Sequence, residues 1–226
     1  MISIYGLLKK HIKLLLSTNP KDANYYKTVK MLIMNCINDK YLKMNNPTII
    51  MRDMADSLTV LILSGIFYHW PTIIQDLINE SMQKSVEFIY LVLRALGDID
   101  LLIHYNRENT KDESYEDSII ISQKEKMQIK DKLIENKDIV INFLLNIYNN
   151  IGNFQNETLK KRIITGLFDT TKSWINFDLY FLKNINISKM IYSIINSYVL
   201  ENPEKFSNMI CDSIVNSNNA KIYINI

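Results

Sequence analysis

Glycine and proline are scarce in this 226-residue chain, at five and four residues. An all-β sandwich needs a turn every ~8–12 residues, and such turns draw on glycine, proline and aspartate. The chain lacks that punctuation, so long helices with few interruptions are expected. Cysteine is scarcer still. Cys36 and Cys211 stand far apart, with no CxxC or Cys/His cluster, which argues against a disulfide scaffold or a zinc site and for a reducing compartment. No apolar run reaches the ~20 residues that span a bilayer; the longest, LTVLILSGIFYHW from Leu58, stops short. The opening MISIYGLLKKHIKLLL has lysines inside its apolar run and no small-residue cleavage site, so it does not read as a signal peptide. A soluble intracellular protein is the expectation. An excess of one charge is absent as well, with a net charge of +2. That balance argues against a protein built mainly to hold nucleic-acid phosphates. P-loop, GxGxxG, HExxH and GxSxG signatures are missing too, and the reading is of a binding protein with no cofactor, metal or catalytic residue.

What is there is apolar material at helical spacing. Hydrophobic residues make up 47 % of the chain, enough for a substantial core. The stripes predict nine helices. The first carries Ile4, Leu7, Leu8, Ile12 and Leu15, and the second runs from Asn24 to Leu42. Further helices are expected over Pro47–His69, Pro71–Met82 and Lys84–Leu96. A polar insert, His104–Ser118, follows within a connection spanning about 104–121; its five acidic residues face Arg107 and Lys111. Ser122 and Glu125 read as a capping box that opens one long helix to Asn150, with Gly152 placed to end it. Helices over Glu157–Asn176, Ser188–Leu200 and Pro203–Tyr223 complete the set. Three prolines follow asparagine, at Asn19-Pro20, Asn46-Pro47 and Asn202-Pro203. Asparagine caps a helix and proline suits its first position, so these dipeptides are starts rather than breaks.

Grouped as pairs, the first helices begin near residues 4, 48, 84, 157 and 204. A period of ~40–47 residues built from two antiparallel helices is the pattern of HEAT and armadillo repeats. The expected fold is therefore all-α. It is a right-handed α-α superhelix of the HEAT/armadillo type, about five helical pairs in one unit over 1–226. A compact helical bundle is the alternative.

The histidines, His11, His69 and His104, fall in separate segments and read as packing or loop residues. The charge runs Lys160–Arg162 and Lys124–Lys126 read as solvated helix faces. Trp174, seven residues after Leu167, lies on one stripe with Ile163, Ile164, Phe168 and Ile175 and reads as a core residue.

Those same residues carry a resemblance. TGLFDTTKSWIN, from Thr165, is similar to a segment of the importin-beta superfamily of nuclear transport receptors, in its transportin-SR and importin-thirteen branch. There an aliphatic–aromatic pair precedes Ser-Trp, a hydrophobic residue and asparagine; here these are Leu167, Phe168, Ser173, Trp174, Ile175 and Asn176. SLTVLILSGIFYHWPTIIQDLI resembles the family's long apolar helix with its tryptophan and short second helix, with Trp70, Ile74, Leu77 and Ile78 in the matching places. FIYLVLRALGDID, Phe88 to Asp100, resembles the next helix, and YGLLKKHIKLLL an earlier one. Leu96-Gly97-Asp98 departs from the family's Leu-Pro-Glu-Glu, and Thr170 and Asp178 stand where the family often has cysteine and glycine.

The resemblance implies an N-terminal fragment of a much longer solenoid, lacking the first repeat. It implies binding of cargo proteins and the GTPase Ran, with nucleoporins as further partners and no nucleic acid or membrane contact. It also implies residence in cytoplasm and nucleus. Recognition would fall on the second helices, whose polar residues Asp39, Asp76 and Glu80 are the candidates to meet a partner; the plainer reading of each is a solvated side chain. A scaffold unrelated to transport is the alternative.

Overall fold

In the computed structural model the described residues are 27, 28, 31, 48–68, 70–100 and 123–198. Among them the fold is all-α, with no strand. Seven α-helices appear: α1 (Thr48–Tyr68), α2 (Ile73–Ser81), α3 (Val86–Gly97), α4 (Gln123–Glu135), α5 (Lys137–Asn150), α6 (Glu157–Phe177) and α7 (Ile185–Tyr198). Short 3-10 turns at Ile151–Asn153 and Leu179–Lys183 follow α5 and α6. The expected first helix, the insert, Ser122 and the helix over Pro203–Tyr223 lie outside the described residues. So does the second helix, apart from Lys27, Thr28 and Met31, which are helical.

Asparagine starts two helices as its chemistry dictates. The Asn156 side chain accepts the Leu159 N–H at 3.0 Å. Asn184 Oδ1 accepts from Asn186 at 3.0 Å and Ile187 at 3.3 Å, so α7 begins three residues before Ser188.

One expectation is corrected. The long helix from Ser122 to Asn150 is two helices, broken at Asn136. The Asn136 backbone sits at φ −94° and ψ 3°, its N–H donates to the Leu133 carbonyl at 2.9 Å, and its side-chain Nδ2 turns back to the Lys132 carbonyl at 2.9 Å. The backbone thus tightens for one turn before Val140 resumes the regular ladder on the Asn136 carbonyl at 3.2 Å. The apolar stripe hides this break, because Ile129, Leu133, Val140, Leu144 and Ile147 keep helical spacing across it and all are buried. Gly152 also behaves differently from expectation. It lies in the 3-10 turn without a positive φ, so α5 closes by tightening rather than by a left-handed cap.

α3 is the centre of the core. Seven of its twelve residues are buried: Phe88, Ile89, Leu91, Val92, Leu93, Ala95 and Leu96. A helix apolar on nearly every side must be covered on nearly every side. α1, α2 and α6 all pack against α3, the α6 contact being the most extensive between any two helices.

Both long neighbours meet α3 through the same device. On α1, the buried Thr59 hydroxyl lies 2.9 Å from the Ala55 carbonyl and 3.0 Å from the Ala95 carbonyl of α3. On α6, the buried Thr170 hydroxyl lies 2.8 Å from both the Gly166 carbonyl and the Leu93 carbonyl of α3. Each hydroxyl shares its proton between its own helix and the central one. Such a reach requires close backbones, and glycine permits it. A Cβ on Gly166 would stand 3.2 Å from Leu93 Cβ, and one on Gly97 3.3 Å from the Thr170 nitrogen.

The tryptophans are core residues. Trp174 is 1 % exposed and packs edge-on to Phe177 at 5.9 Å, with Phe181 at 6.2 Å. Trp70 is 5 % exposed in the α1–α2 turn, where its backbone N–H bonds to the Gly65 carbonyl.

Gly166→Val should therefore destabilise the fold by about 2–3 kcal/mol through overpacking against Leu93. Gly152→Ala meets nothing within 4 Å of its new Cβ and should shift stability by less than ~0.5 kcal/mol. Thr170→Val removes the shared hydrogen bond and should cost about 1–2 kcal/mol. Urea-unfolding midpoints of the three variants measure all of these.

Candidate functional site

The residues expected to meet a partner fall in different places. Asp39 lies outside the described residues. Asp76 and Glu80 occupy successive turns of α2 but have different surroundings. Asp76 is half-buried, and its Oδ2 accepts hydrogen bonds from the Trp70 indole N–H and, at 3.0 Å, from the Thr72 hydroxyl. Its carboxylate in the first turn also suits the positive end of α2. This acid fixes the α1–α2 corner and holds the indole in the core. Glu80 has 43 % of its side chain exposed and pairs with Lys84 at 2.9 Å. Lys84 in turn lies 5.0 Å from the Phe88 ring centroid.

Two polar clusters that the sequence did not announce tie the central helices together. At the C-terminal end of α3, Arg94 pairs with Asp98, four residues on, at 3.5 Å, with Asp56 of α1 adding to the favourable field. Burial works against its charge, while Tyr90's hydroxyl and the carboxylates of Asp98 and Asp56 favour it and raise its pKa above the ordinary value. Two residues beyond Asp98, past the same end of α3, Asn176 Nδ2 donates to Asp100 Oδ2 at 2.6 Å, and the Asp100 backbone N–H donates to Ser173 Oγ at 3.3 Å. Ser173 and Asn176, two residues of the SWIN segment, thus anchor the chain just beyond α3. A third link, Lys137 to Asp178 at 3.1 Å, joins the start of α5 to the end of α6, with the Asp178 side chain 13 % exposed.

The rest of the described surface mixes charged groups with single exposed hydrophobics such as Met127, Ile185 and Tyr192. Lys160 of the Lys160–Arg162 run meets Glu157 at 3.5 Å, and Lys161 is exposed. The side chains of Lys124–Lys126 and all three histidines fall outside the described positions. Among the described residues no group of three or more His, Cys, Asp or Glu could hold a metal ion, and no helix is long and apolar enough to cross a membrane.

The feature that sequence reading passed over is the outward face of α5. Asn142, Asn146, Asn149, Asn150 and, in the turn that follows, Asn153 are exposed, opposite buried Val140, Phe143, Leu144 and Ile147. The signal was present as asparagine at four-residue spacing, but in a chain rich in asparagine throughout it did not stand out.

Asp76→Ala removes the acceptor shared by Trp70 and Thr72 and should lower stability by about 1–2 kcal/mol. Glu80→Gln breaks one partly exposed i,i+4 ion pair and should stay within ~0.5 kcal/mol of the unaltered chain. Thermal unfolding of both separates the structural acid from the surface one; equal effects would contradict the assignment. In comparisons with known proteins, no family model, curated protein or solved structure matches this chain.

Proposed function

We propose that this chain is a helical-repeat binding scaffold, part of a nuclear transport receptor of the importin-beta type that carries cargo proteins under the control of GTP-bound Ran. On this reading it acts by surface recognition rather than catalysis, moves between cytoplasm and nucleus, and meets nucleoporins on the way. The observation that carries the scaffold reading is the packing of α3 against both α1 and α6. These are the helices that open successive pairs in the sequence pattern, and in a solenoid the first helices of neighbouring units lie side by side. In that pattern α5 and α7 come second in their pairs, and the contact between them agrees with a second layer. The transport reading rests on the resemblance. Its residues pack inside this fold: Ser173 and Asn176 on the Asp100 link, Trp70 on Asp76 in the α1–α2 corner, and Trp174 in the core.

A second reading has its own observation. α4 touches both α1 and α6, a contact that a strict stack of pairs does not require. It suits a more closed helical assembly subunit without a transport role.

Capture on immobilised Ran, locked with GTP or with GDP, tests the choice. Retention on the GTP form alone, released by exchange to GDP, is the result expected of a receptor. Equal retention on both forms, or none, would favour the unrelated scaffold.

A further inference from the structure

α4 and α5 share one apolar seam but not one backbone ladder. The Asn136 N–H donates to the Leu133 carbonyl at 2.9 Å, and the next bond, from Val140, ends on Asn136 itself. Among the described residues no backbone bond runs from Lys137, Asp138 or Ile139 back into α4. In an unbroken helix those three amides would bond the carbonyls four residues earlier and hold the two halves together. The Asn136 side chain closes α4 separately, with Nδ2 donating to the Lys132 carbonyl at 2.9 Å. Either helix can therefore open without breaking the hydrogen bonds of the other.

The two helices are also anchored unequally. α5 sinks Val140, Ile141, Phe143, Leu144 and Ile147 into the core and touches α6 and α7. Its start is clasped to the end of α6 by Lys137 and Asp178 at 3.1 Å. Among the described side chains of α4, Ile129 and Leu133 are the buried apolar ones, with Ile134 packed partly against them. The described polar contacts of α4 stay local: Lys132 pairs with Glu135 at 2.7 Å, and its carbonyl takes the Asn136 amide. Seven of the 13 residues of α4 are charged, against two of the 14 of α5. A helix so charged and so lightly buried gives up little on moving into water. Once off its neighbours it also loses its shape, because isolated helices near or below ~12–15 residues are marginal in water.

α4 lies against both α1 and α6, the helices that pack on α3. What it covers there is apolar, since Ile129 and Leu133 belong to one continuous core with the buried residues of α1 and α6.

We propose that α4 is a detachable strap. It undocks from α1 and α6 and melts as a unit, with Asn136 as the hinge, while α5 and the rest of the core stay folded. Undocking bares a hydrophobic strip on α1 and α6 that the closed form hides, so the strap switches that strip between covered and open. The proposal holds whether or not the chain serves transport.

Hydrogen exchange of the whole chain in low urea, read by mass spectrometry, tests it. Peptides from α4 should exchange at least ~10²-fold faster than those over Val140–Ile147 of α5. Leu133→Ala removes one of the two buried anchors and should speed exchange in α4 on the order of 10²-fold, with α5 unchanged. Asn136→Ala replaces the back-bonding amide by the best helix former and lets the ladder run through. It should bring the two rates within ~10-fold of each other. This second variant decides the matter if Leu133→Ala does not fold. The proposal is overturned if α4 and α5 exchange alike in the unaltered chain, if Leu133→Ala speeds both equally, or if Asn136→Ala leaves the gap as it was.

Discussion

The close approach of α6 to α3 is the constraint on which the rest of the structure depends. Gly166 lets the two backbones come near, Thr170 spans the gap to the Leu93 carbonyl, and Gly97 leaves room for the Asp169–Thr170 backbone at the far end. Beyond that crossing, Ser173 and Asn176 take hold of Asp100. Small residues do here what apolar bulk does elsewhere in the core: they set the distance. Thr59 repeats the arrangement from α1, so α3 is held from two directions by hydroxyls that stay bonded to their own helices. The proton of each is shared between two carbonyls, so neither buried hydroxyl is left as an unmet donor.

Much of this was legible before any coordinates. The bounds of α1, α2, α3 and α6 lie within two residues of the expected ones, because each rests on an uninterrupted apolar stripe. The all-helical class followed from the same periodicity and from the lack of glycine and proline. What periodicity could not reveal was the break at Asn136, since an in-register stripe is indifferent to one tightened turn. The residues at the α3–α6 crossing were visible only as part of a resemblance. Their physical role, close approach and carbonyl-bonding hydroxyls, depends on which helix lies opposite. A helix's own sequence does not name its neighbour.

The candidate site was less legible for a related reason. Polarity marks a residue as solvent-tolerant without saying what it touches. Asp76 and Glu80 look alike on α2, yet one holds an indole in the core and the other faces water beside Lys84. Asparagine poses the same difficulty. Asn156 and Asn184 start helices, Asn136 ends one, Asn176 bonds Asp100, and the α5 row lies open to solvent. One side chain serves four purposes because its amide both donates and accepts, and only geometry tells them apart.

The interruption at Asn136 separates two properties that a straight helix would couple. Burial of the α4–α5 strip is encoded by residue spacing, which runs on unchanged through the tightened turn. Direction is encoded elsewhere, in a retracted amide and in the Lys137–Asp178 clasp to the end of α6. The surface that α5 turns outward can therefore be re-aimed by altering two or three polar groups, with the greasy seam beneath it left as it is.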